Sequence, residues 1–399
     1  MTERIYYRDP YAAECTARVL RTESVQGRGA VILDRTCFYP ASGGQLNDTG
    51  TINGIPVIDV FEQGETVYHI IGEGALEEEN VRCRIDWERR FDHMQQHTGQ
   101  HILSQCFIKT IDAETVSSSL GSEICTIDID CPSLTPEDAF RTEKEANYWV
   151  YKNAVVAILY PTDEELAKLP LRKPPPSGKE IRIIHIDGLD YSPCGGTHCT
   201  HTGEVGIIKI RRWEKMRGNT RIEFICGARA LNDYREKMRL TGALSSSLST
   251  AEQDIGSAID RLMKESKSQL KTIRELRNEL FAFKAGGIYE SAEQIKNIRV
   301  TTAALSSDNF ADLKLQAQQI RNLGTGIVLV TNDGPDPMFV FTRSEDIEID
   351  LNNILSDLQN DYQIKGGGSP GMVQGVLDNE SETAGFLQKA RESVIQRIG

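Results

Sequence analysis

The chain has 399 residues, which is more than one ordinary hydrophobic core accommodates, so two or three domains are expected. Hydrophobic residues at 39% and charged residues at 26% are typical of folded globular proteins and exclude wholesale disorder. The net charge of −13 argues against a polyanionic partner, except where basic residues are concentrated locally.

No secretory pattern opens the chain, and no apolar run reaches about eighteen residues. We therefore expect a cytoplasmic protein that does not enter a membrane. The nine cysteines are scattered along the chain and odd in number, which indicates reduced thiols rather than a disulfide framework.

Residues 1–90 alternate short β-type runs with glycine turns, among them Ser42–Gln45 and Ile52–Pro56. This alternation predicts a small β-barrel or sandwich. From Asp92 onwards, apolar side chains recur at helical spacing and no proline interrupts them. The pattern predicts that a helix begins there.

An α+β domain is predicted over residues 91–227, because helical and β-type segments follow one another there. After the first helix come an alternating run at Ser122–Cys131, a helix over Pro136–Tyr151, strands over Ala154–Tyr160 and Glu180–Ile186, and a basic hairpin over Gly203–Gly227. The prolines of Pro174–Gly178 cannot continue a helix or a central strand, so an exposed loop is expected there.

Residues 228–288 are predicted to form a helical linker, arranged as a long helical hairpin or a short coiled coil. Its apolar residues recur near heptad spacing: Ile255, Ile259, Leu262, Leu270, Ile273, Leu276 and Leu280. We interpret this repeat as ordinary helix packing rather than as a dedicated interface. Residues 289–399 combine apolar strands with amphipathic helices, which predicts a small α/β domain.

Six of the seven histidines fall in two short stretches, which indicates a metal site. His97 and His101 are four residues apart on the predicted helix, so both imidazoles lie on one face. Cys194 and His198 bracket a Gly-Gly-Thr turn, and its glycines permit the two side chains to converge. Zinc accepts both imidazole and thiolate, so the four residues form a zinc-type ligand group.

Other interpretations of these residues stay open. The spacing of each pair can arise by chance, and a zinc ion can be purely structural, because structural sites are closed by four protein ligands. Position 98 is a threonine, and no glutamate lies between the paired histidines, so a zincin protease is disfavoured. His93, His185 and His201 are interpreted as supporting or surface residues.

Three segments resemble the editing half of alanyl-tRNA synthetase and its free-standing relatives, the AlaX-type alanyl-tRNA editing proteins. They are Phe38–Gly50, Arg89–Gln105 and Ser192–Gly206, and a fourth, Lys365–Gly375, is similar to the glycine-rich signature of the synthetase's C-terminal domain. The four segments occur in the family's order and extend over nearly the whole chain. The chain departs from the family at Cys199, where an aliphatic residue is usual, and at Ser369 and Pro370.

The resemblance implies an α+β multidomain fold. Its parts are an N-terminal β-barrel, an α/β editing core shared with threonyl-tRNA synthetase, a helical linker and a C-terminal α/β domain. No aminoacylation or ATP-binding segment precedes the barrel, so we expect a protein that deacylates tRNA without charging it. A homodimer formed through the C-terminal region is a further implication.

The resemblance also implies a zinc-dependent hydrolase that removes a wrong amino acid, serine or alternatively glycine, from alanine tRNA. The zinc ligands would be His97, His101, Cys194 and His198, with Cys194 the least certain as a direct ligand. Zinc would position the ester and either polarise its carbonyl or lower the pKa of a water molecule.

Ser42 and Gln45 are the candidate catalytic residues, because the family's glycine-rich turn faces the zinc site. The alternative is an ordinary β-turn. Six basic residues directly follow the zinc turn and are candidates for contacts with acceptor-stem phosphates: Lys209, Arg211, Arg212, Lys215, Arg217 and Arg221. The alternative for this strip is a solvated hairpin face.

A different function, from another class, stays open beside the hydrolase. It is a non-catalytic protein for tRNA binding or dimerisation in which zinc is only structural. A phosphoesterase is disfavoured, because the expected cluster of aspartate and histidine residues is absent from the sequence.

Overall fold

The computed structural model describes residues 2–74, 76, 78–171, 181–334, 336–378 and 382–399. The chain divides into two compact units, Met1–Ser247 and Leu248–Gly399. The predicted mixed α/β multidomain architecture is confirmed. Its finer division into four domains stays a prediction, and the loop predicted at Pro174–Gly178 lies outside the described residues.

Six strands near the start of the first unit pair in a closed ring. The strands of this region are β1 (Glu3–Arg4), β2 (Glu14–Val25), β3 (Arg28–Leu33), β4 (Arg35–Thr36), β5 (Gly50–Ile52), β6 (Ile55–Gln63), β7 (Thr66–Ile71) and β8 (Asn80–Ile85). The ring order is β2-β3-β7-β6-β5-β8, and β8 pairs back with β2. On β8, buried Val81, Cys83 and Ile85 alternate with exposed residues, so the apolar face of the strand turns inward.

His69 on β7 is fully buried within this ring as a neutral imidazole. Its Nδ1 lies 3.0 Å from the carbonyl oxygen of Val31, and its Nε2 lies 2.8 Å from the hydroxyl of Thr36. The Nδ1–H group therefore donates and Nε2 accepts, so the neutral ring is satisfied on both sides. Burial lowers the pKa of His69 to about 4.

We expect this histidine to make the stability of the first unit depend on pH. Its unfolded pKa is about 6.5, so its stabilising contribution is full above pH ~6.5 and falls as the pH drops towards 4. At pH 4 the loss in free energy of unfolding is on the order of 3 kcal/mol. Urea unfolding at several pH values should show that the free energy of unfolding depends less steeply on pH in His69→Gln than in the wild type. The control His201→Gln, at a partly exposed position, should keep the wild-type dependence. An unchanged slope in His69→Gln would assign the dependence to other groups.

The long helix α1 (Trp87–Ile111) carries the first histidine pair. It begins at Trp87 rather than at the predicted Asp92, because the side chain of Asp86 accepts a hydrogen bond from the backbone N–H of Arg89 and caps the helix. The helix ends at Ile111, because the next residue, Asp112, has a left-handed φ of 56°. Most of α1 is buried, and its histidine face is therefore held by packing on several sides.

A buried ion pair joins α1 to the segment between β4 and β5. Arg90 bonds both carboxylate oxygens of Asp48, and both side chains are completely buried. The same guanidinium donates to the carbonyl oxygens of Pro10 and Cys37 at 2.7 and 2.6 Å. These bonds satisfy the buried charge and fix the helix against the N-terminal strands.

The remainder of the first unit surrounds α1 with two further sheets and three helices. Its elements are β9 (Thr115–Leu120), β10 (Cys125–Ile129), α2 (Pro136–Lys152), β11 (Val156–Leu159), α3 (Asp163–Leu166), β12 (Ile183–Ile186), β13 (Asp190–Pro193), β14 (Ile208–Met216), β15 (Asn219–Cys226) and α4 (Gly227–Leu248). The sheet orders are β14-β15-β10-β9 and β11-β12-β13. Gly99 lets α1 lie close to β15, because a Cβ atom there would come within 2.3 Å of Cys226 Sγ.

The second unit contains a long helix and a six-stranded sheet. Its elements are α5 (Ile255–Glu290), β16 (Glu293–Ile295), β17 (Ile298–Leu305), α6 (Phe310–Arg321), β18 (Gly326–Asn332), β19 (Met338–Arg343), α7 (Leu351–Leu358), β20 (Ile364–Ser369), β21 (Met372–Leu377) and α8 (Thr383–Ile398). The strand order is β16-β17-β18-β19-β21-β20. One apolar core lies between the sheet and α7 with α8, and another includes α6 and the end of α5.

The interpretation of the α5 repeat as ordinary helix packing is wrong. Six of its seven apolar residues are exposed: Ile259, Leu262, Leu270, Ile273, Leu276 and Leu280. The buried residues of α5 are Ala258, Phe281 and Ala285, two of which lie in its last turns. The helix extends beyond the core that could cover its heptad positions.

All nine cysteines lie in the described part of the chain and are free thiols, as predicted. Among the described residues, no helix combines the length and apolarity needed to cross a membrane.

Candidate metal centre

Four side chains from two distant parts of the sequence converge in the first unit. They are His97 and His101 from α1, and Cys194 and His198 from the turn that follows β13. One potential ligand atom from each lies within 4.8 Å of the other three. The sequence-predicted group is therefore brought together in space, and it could hold a metal ion.

The turn after β13 approaches α1 closely because residue 196 has no side chain. A Cβ atom on Gly196 would lie 2.1 Å from His97 Cε1 and 2.9 Å from Gln45 Oε1. Either distance is shorter than ordinary van der Waals contact, so a larger residue would displace the imidazole. Gly195 differs, since a Cβ atom there would meet only Tyr7, at 3.8 Å.

This difference gives a matched pair of variants. Gly196→Ala is expected to push His97 out of place and to weaken metal binding by about 10-fold or more, comparable with loss of a supporting contact. Gly195→Ala should bind metal as the wild type does. Competition of each purified protein against a zinc chelator measures the affinity, and equal affinities for the two variants would show that the close approach is unimportant.

Each of the three histidines has its Nδ1 atom held by another residue. His97 Nδ1 lies 2.8 Å from Gln45 Oε1, which also accepts from the backbone N–H of Thr197. His101 Nδ1 lies 3.2 Å from Asp190 Oδ2.

The third contact follows the same pattern. His198 Nδ1 lies 3.2 Å from Thr98 Oγ1. Each Nδ1–H group therefore donates a hydrogen bond to a residue outside the cluster. The three Nε2 atoms stay unprotonated and can bind a metal ion at the centre of the cluster.

Cys194 completes the cluster from the opposite side. Its Sγ atom lies 3.4 Å from His97 Nε2 and 3.2 Å from His198 Nε2. Burial opposes ionisation of the thiol, but His97 and His198 lower its pKa well below the ordinary value. Burial also lowers the pKa of His198 well below the usual range, which favours its neutral form. Thiolate and neutral imidazole are the protonation states that bind a metal.

The donor set and spacing fit zinc. A tetrahedral ion with usual Zn–S and Zn–N bond lengths would place sulfur and nitrogen about 3.5 Å apart. The two sulfur–nitrogen distances are close to this value. Three imidazole nitrogens and one thiolate sulfur are also a donor combination that zinc accepts in proteins.

A cavity of about 380 Å³ opens onto one side of the cluster. Its walls include His97, His101 and Cys194, so three of the four candidate ligands are reached from it. The rest of the wall combines the larger residues Tyr39, Val116 and Pro193 with polar or small ones, among them Ser42, Gly43, Gln100, Thr115, Ser117 and Ser118. The cavity therefore leaves the candidate metal position open on one side, with polar groups beside it.

The two candidate catalytic residues of the glycine-rich turn occupy different positions. Ser42 lines the cavity. Gln45 is buried, and its carboxamide is bonded to His97, to the backbone N–H of Thr197 and to the Thr197 hydroxyl. Gln45 therefore orients His97. Both polar atoms of its amide form hydrogen bonds within the protein.

The other histidines lie outside the cluster. His93 is buried on α1, and burial lowers its pKa to about 4. His185 stacks on Tyr191 with ring centroids 4.0 Å apart. His201 has a partly exposed side chain and lies 3.8 Å from Glu204.

The six basic residues of the predicted RNA strip lie on or between β14 and β15, and four of them face acidic partners. Lys209 pairs with Glu143 at 2.8 Å, and Arg221 bonds both carboxylate oxygens of Asp128. Arg211 and Arg212 contact Asp233 and Glu223. Lys215 and Arg217, near the tip of the hairpin, are exposed and have no ion pair among the described residues.

Three residues that matter for the site escaped the sequence reasoning. Asp190 and Thr98 orient histidines, and Gln100 lines the cavity. The sequence could have indicated two of them, because Thr98 and Gln100 lie between the paired histidines on a predicted helix. Asp190 had none, because an aspartate in a β-hairpin usually indicates only a turn.

Comparisons with known proteins follow the same segments. Residues 181–223 match the family described as "Threonyl and Alanyl tRNA synthetase second additional domain", and residues 10–89 match "tRNA synthetases class II (A)". Alanyl-tRNA editing protein AlaX-L from Pyrococcus horikoshii is 32% identical to this chain, over 96% of the chain and 96% of its own length.

Longer relatives match only in part. The alanine–tRNA ligases of Pyrococcus abyssi and Methanoregula boonei are 28% and 31% identical over the whole chain, which spans 44% of each ligase. The solved C-Ala domain of Aquifex aeolicus alanyl-tRNA synthetase covers 27% of the chain at 14% identity with a TM-score of 0.24.

Proposed function

Because the chain belongs to the alanyl-tRNA editing protein family, we propose that it hydrolyses the ester bond between alanine tRNA and a wrongly attached amino acid. Serine is the expected amino acid, with glycine as the alternative. The observation that carries the proposal is the cluster of three histidines and one cysteine at the wall of an open cavity. A purely structural site would need no such opening.

Zinc would be held by His97, His101, Cys194 and His198, and when bound it would supply Lewis-acid polarisation of the ester carbonyl. The chain's own residues orient the ligands. Gln45, Asp190 and Thr98 fix the three imidazoles, so that each keeps its Nε2 atom towards the centre. An aminoacyl ester is already an activated acyl group. Holding its carbonyl group beside a Lewis acid would therefore supply much of the catalysis that hydrolysis requires.

The need for such a hydrolase follows from the similarity of the amino acids. A pocket built for alanine rejects serine poorly, since the two differ by one hydroxyl group. A second site that hydrogen-bonds the hydroxyl can reject alanine strongly, because alanine leaves a buried polar group unpaired. The cavity wall offers polar groups, of which Thr115 and Gln100 are buried and Ser42 is exposed.

The tRNA would be held by basic side chains of the β14–β15 hairpin. Lys215 and Arg217 are the members of the proposed strip without acidic partners among the described residues, so they are the ones most available to phosphates. Lys209, Arg211, Arg212 and Arg221 would have to exchange an acidic partner for a phosphate.

Further parts of the proposal concern architecture and location. We interpret the closed ring of six strands as the predicted N-terminal β-barrel, because each neighbouring pair round it is hydrogen-bonded. The division at residues 90, 227 and 288, the homodimer through the C-terminal region and the cytoplasmic location also stay predictions.

The competing function is a tRNA-binding protein with a structural zinc ion. Four protein ligands are enough to close a zinc site, and this favours the alternative. The experiment is to follow, in parallel, release of serine from seryl-tRNA(Ala) and retention of the tRNA on the protein. Multiple turnovers per protein molecule are expected. Stable binding without release of serine would select the non-catalytic alternative.

A further inference from the structure

A second carboxamide, that of Gln100, lies in the cavity wall between two candidate metal ligands. Gln100 follows His97 by three residues and precedes His101 by one on α1, and all three line the cavity. Positions three residues apart on a helix are neighbours on one face. Its side chain is therefore adjacent to the place where the ester would react.

The Gln100 amide is fixed at one end. Its Nε2 atom donates to Ser104 Oγ at 2.8 Å, and Ser104 Oγ also accepts from Thr115 Oγ1 at 2.7 Å. Ser104 is completely buried. With Nε2 anchored, Oε1 is the remaining polar atom of the amide, and no hydrogen bond to it is formed within the part of the chain that the structure describes.

The cavity favours an uncharged hydrogen-bond donor as the partner of Gln100 Oε1. Its described lining contains no carboxylate that could balance an ammonium group, and the neighbouring cluster would carry the positive charge of zinc. A hydroxyl group donates one hydrogen bond without bringing charge. Among the amino acids in question, only serine supplies that hydroxyl.

We propose that Gln100 distinguishes serine from alanine by accepting a hydrogen bond from the serine hydroxyl at its Oε1 atom. This inference rests on the proposed function and names the residue that gives it selectivity. Alanine and glycine have no donor at this position, so binding either would leave a desolvated acceptor unpaired. Gln45, the glutamine suggested by the sequence, is already committed to His97 and Thr197.

The test is the ratio of kcat/KM for seryl-tRNA(Ala) to that for alanyl-tRNA(Ala), measured for the wild type and for Gln100→Leu. The leucine keeps similar bulk but cannot accept a hydrogen bond. We expect the ratio to fall about 10- to 100-fold, as expected for loss of one buried hydrogen bond that discriminates two substrates. Ser104→Ala, which releases the anchor, should lower the ratio by a smaller factor.

Gln105→Leu is the matched control, because it makes the same change on the same helix. Gln105 Oε1 is buried with no hydrogen-bond partner among the residues that the structure describes, and Gln105 does not line the cavity. Its ratio should equal that of the wild type, and zinc stoichiometry should be unchanged in all three variants.

The outcomes separate this inference from the proposed function. If the wild type prefers serine and Gln100→Leu keeps that preference, the inference is wrong while the proposed function stands. Equal losses with both substrates would also overturn it, since Gln100 would then contact a group common to both. If the wild type releases no serine at all, the proposed function fails and the inference fails with it.

Discussion

Replacement of His97 by alanine is expected to lower the rate of serine release by more than about 100-fold. Loss of a residue that only supports a metal ligand costs at most about 100-fold, and loss of a ligand itself should cost more. His97 is a candidate ligand at the cavity wall and contacts Cys194, so its loss removes one donor and opens the cluster. The measurement is single-turnover deacylation of seryl-tRNA(Ala), accompanied by zinc analysis of the same sample.

The control for this variant is His201→Ala. His201 lies on the same turn region, but its side chain is partly exposed and it is outside the cluster. It should keep both zinc and activity. If His97→Ala kept full activity, the cluster could not be the reactive site, whatever metal it holds.

Replacement of Arg90 by alanine is expected to lower the free energy of unfolding of the first unit by about 3 to 5 kcal/mol, the range for a buried ion pair that loses one partner. The reason is that the carboxyl group of Asp48 would remain completely buried without its cationic partner. Three tryptophans, Trp87, Trp149 and Trp213, all lie in the first unit, so their fluorescence during urea unfolding reports on that unit alone.

Two further variants show whether the loss of stability comes from the unpaired buried charge. The pair Arg82 and Glu14 is exposed, so Arg82→Ala should leave the unfolding curve nearly unchanged. The double variant Arg90→Met with Asp48→Leu removes both charges and should recover part of the loss, because no unpaired charge remains buried. If Arg90→Ala unfolded like the wild type, the ion pair would not hold the helix to the N-terminal strands.

The metal-type cluster could be predicted from sequence because local geometry dictates it. A helical spacing of four residues places His97 and His101 on one face in any helix, and a glycine turn brings Cys194 towards His198. Because zinc accepts both imidazole and thiolate, the two pairs are expected to share one ion, and the family resemblance implies the same four ligands. The structure adds the orienting residues, which depend on contacts between segments about 50 to 100 residues apart, such as Gln45 with His97.

Roles that depend on tertiary contacts could not be predicted in this way. The resemblance makes Gln45 a candidate because it lies in the family's glycine-rich turn, but only the fold shows that its amide is bonded to His97 and Thr197. The sequence shows only the six basic residues of the hairpin. The acidic residues that neutralise part of this charge, Glu143 and Asp128, lie on other elements and become neighbours only in the fold. The repeat on α5 has the correct period, yet period alone does not say what covers a helix.

The central claim is that zinc at this cluster is needed to hydrolyse seryl-tRNA(Ala). The most direct measurement follows serine release by one protein sample before zinc removal, after it, and after stoichiometric zinc is added back, with alanyl-tRNA(Ala) in parallel. We expect release of serine to stop on removal and to return on addition, while alanine is spared throughout. Undiminished release from the zinc-free protein, or equal release of alanine, would contradict the account.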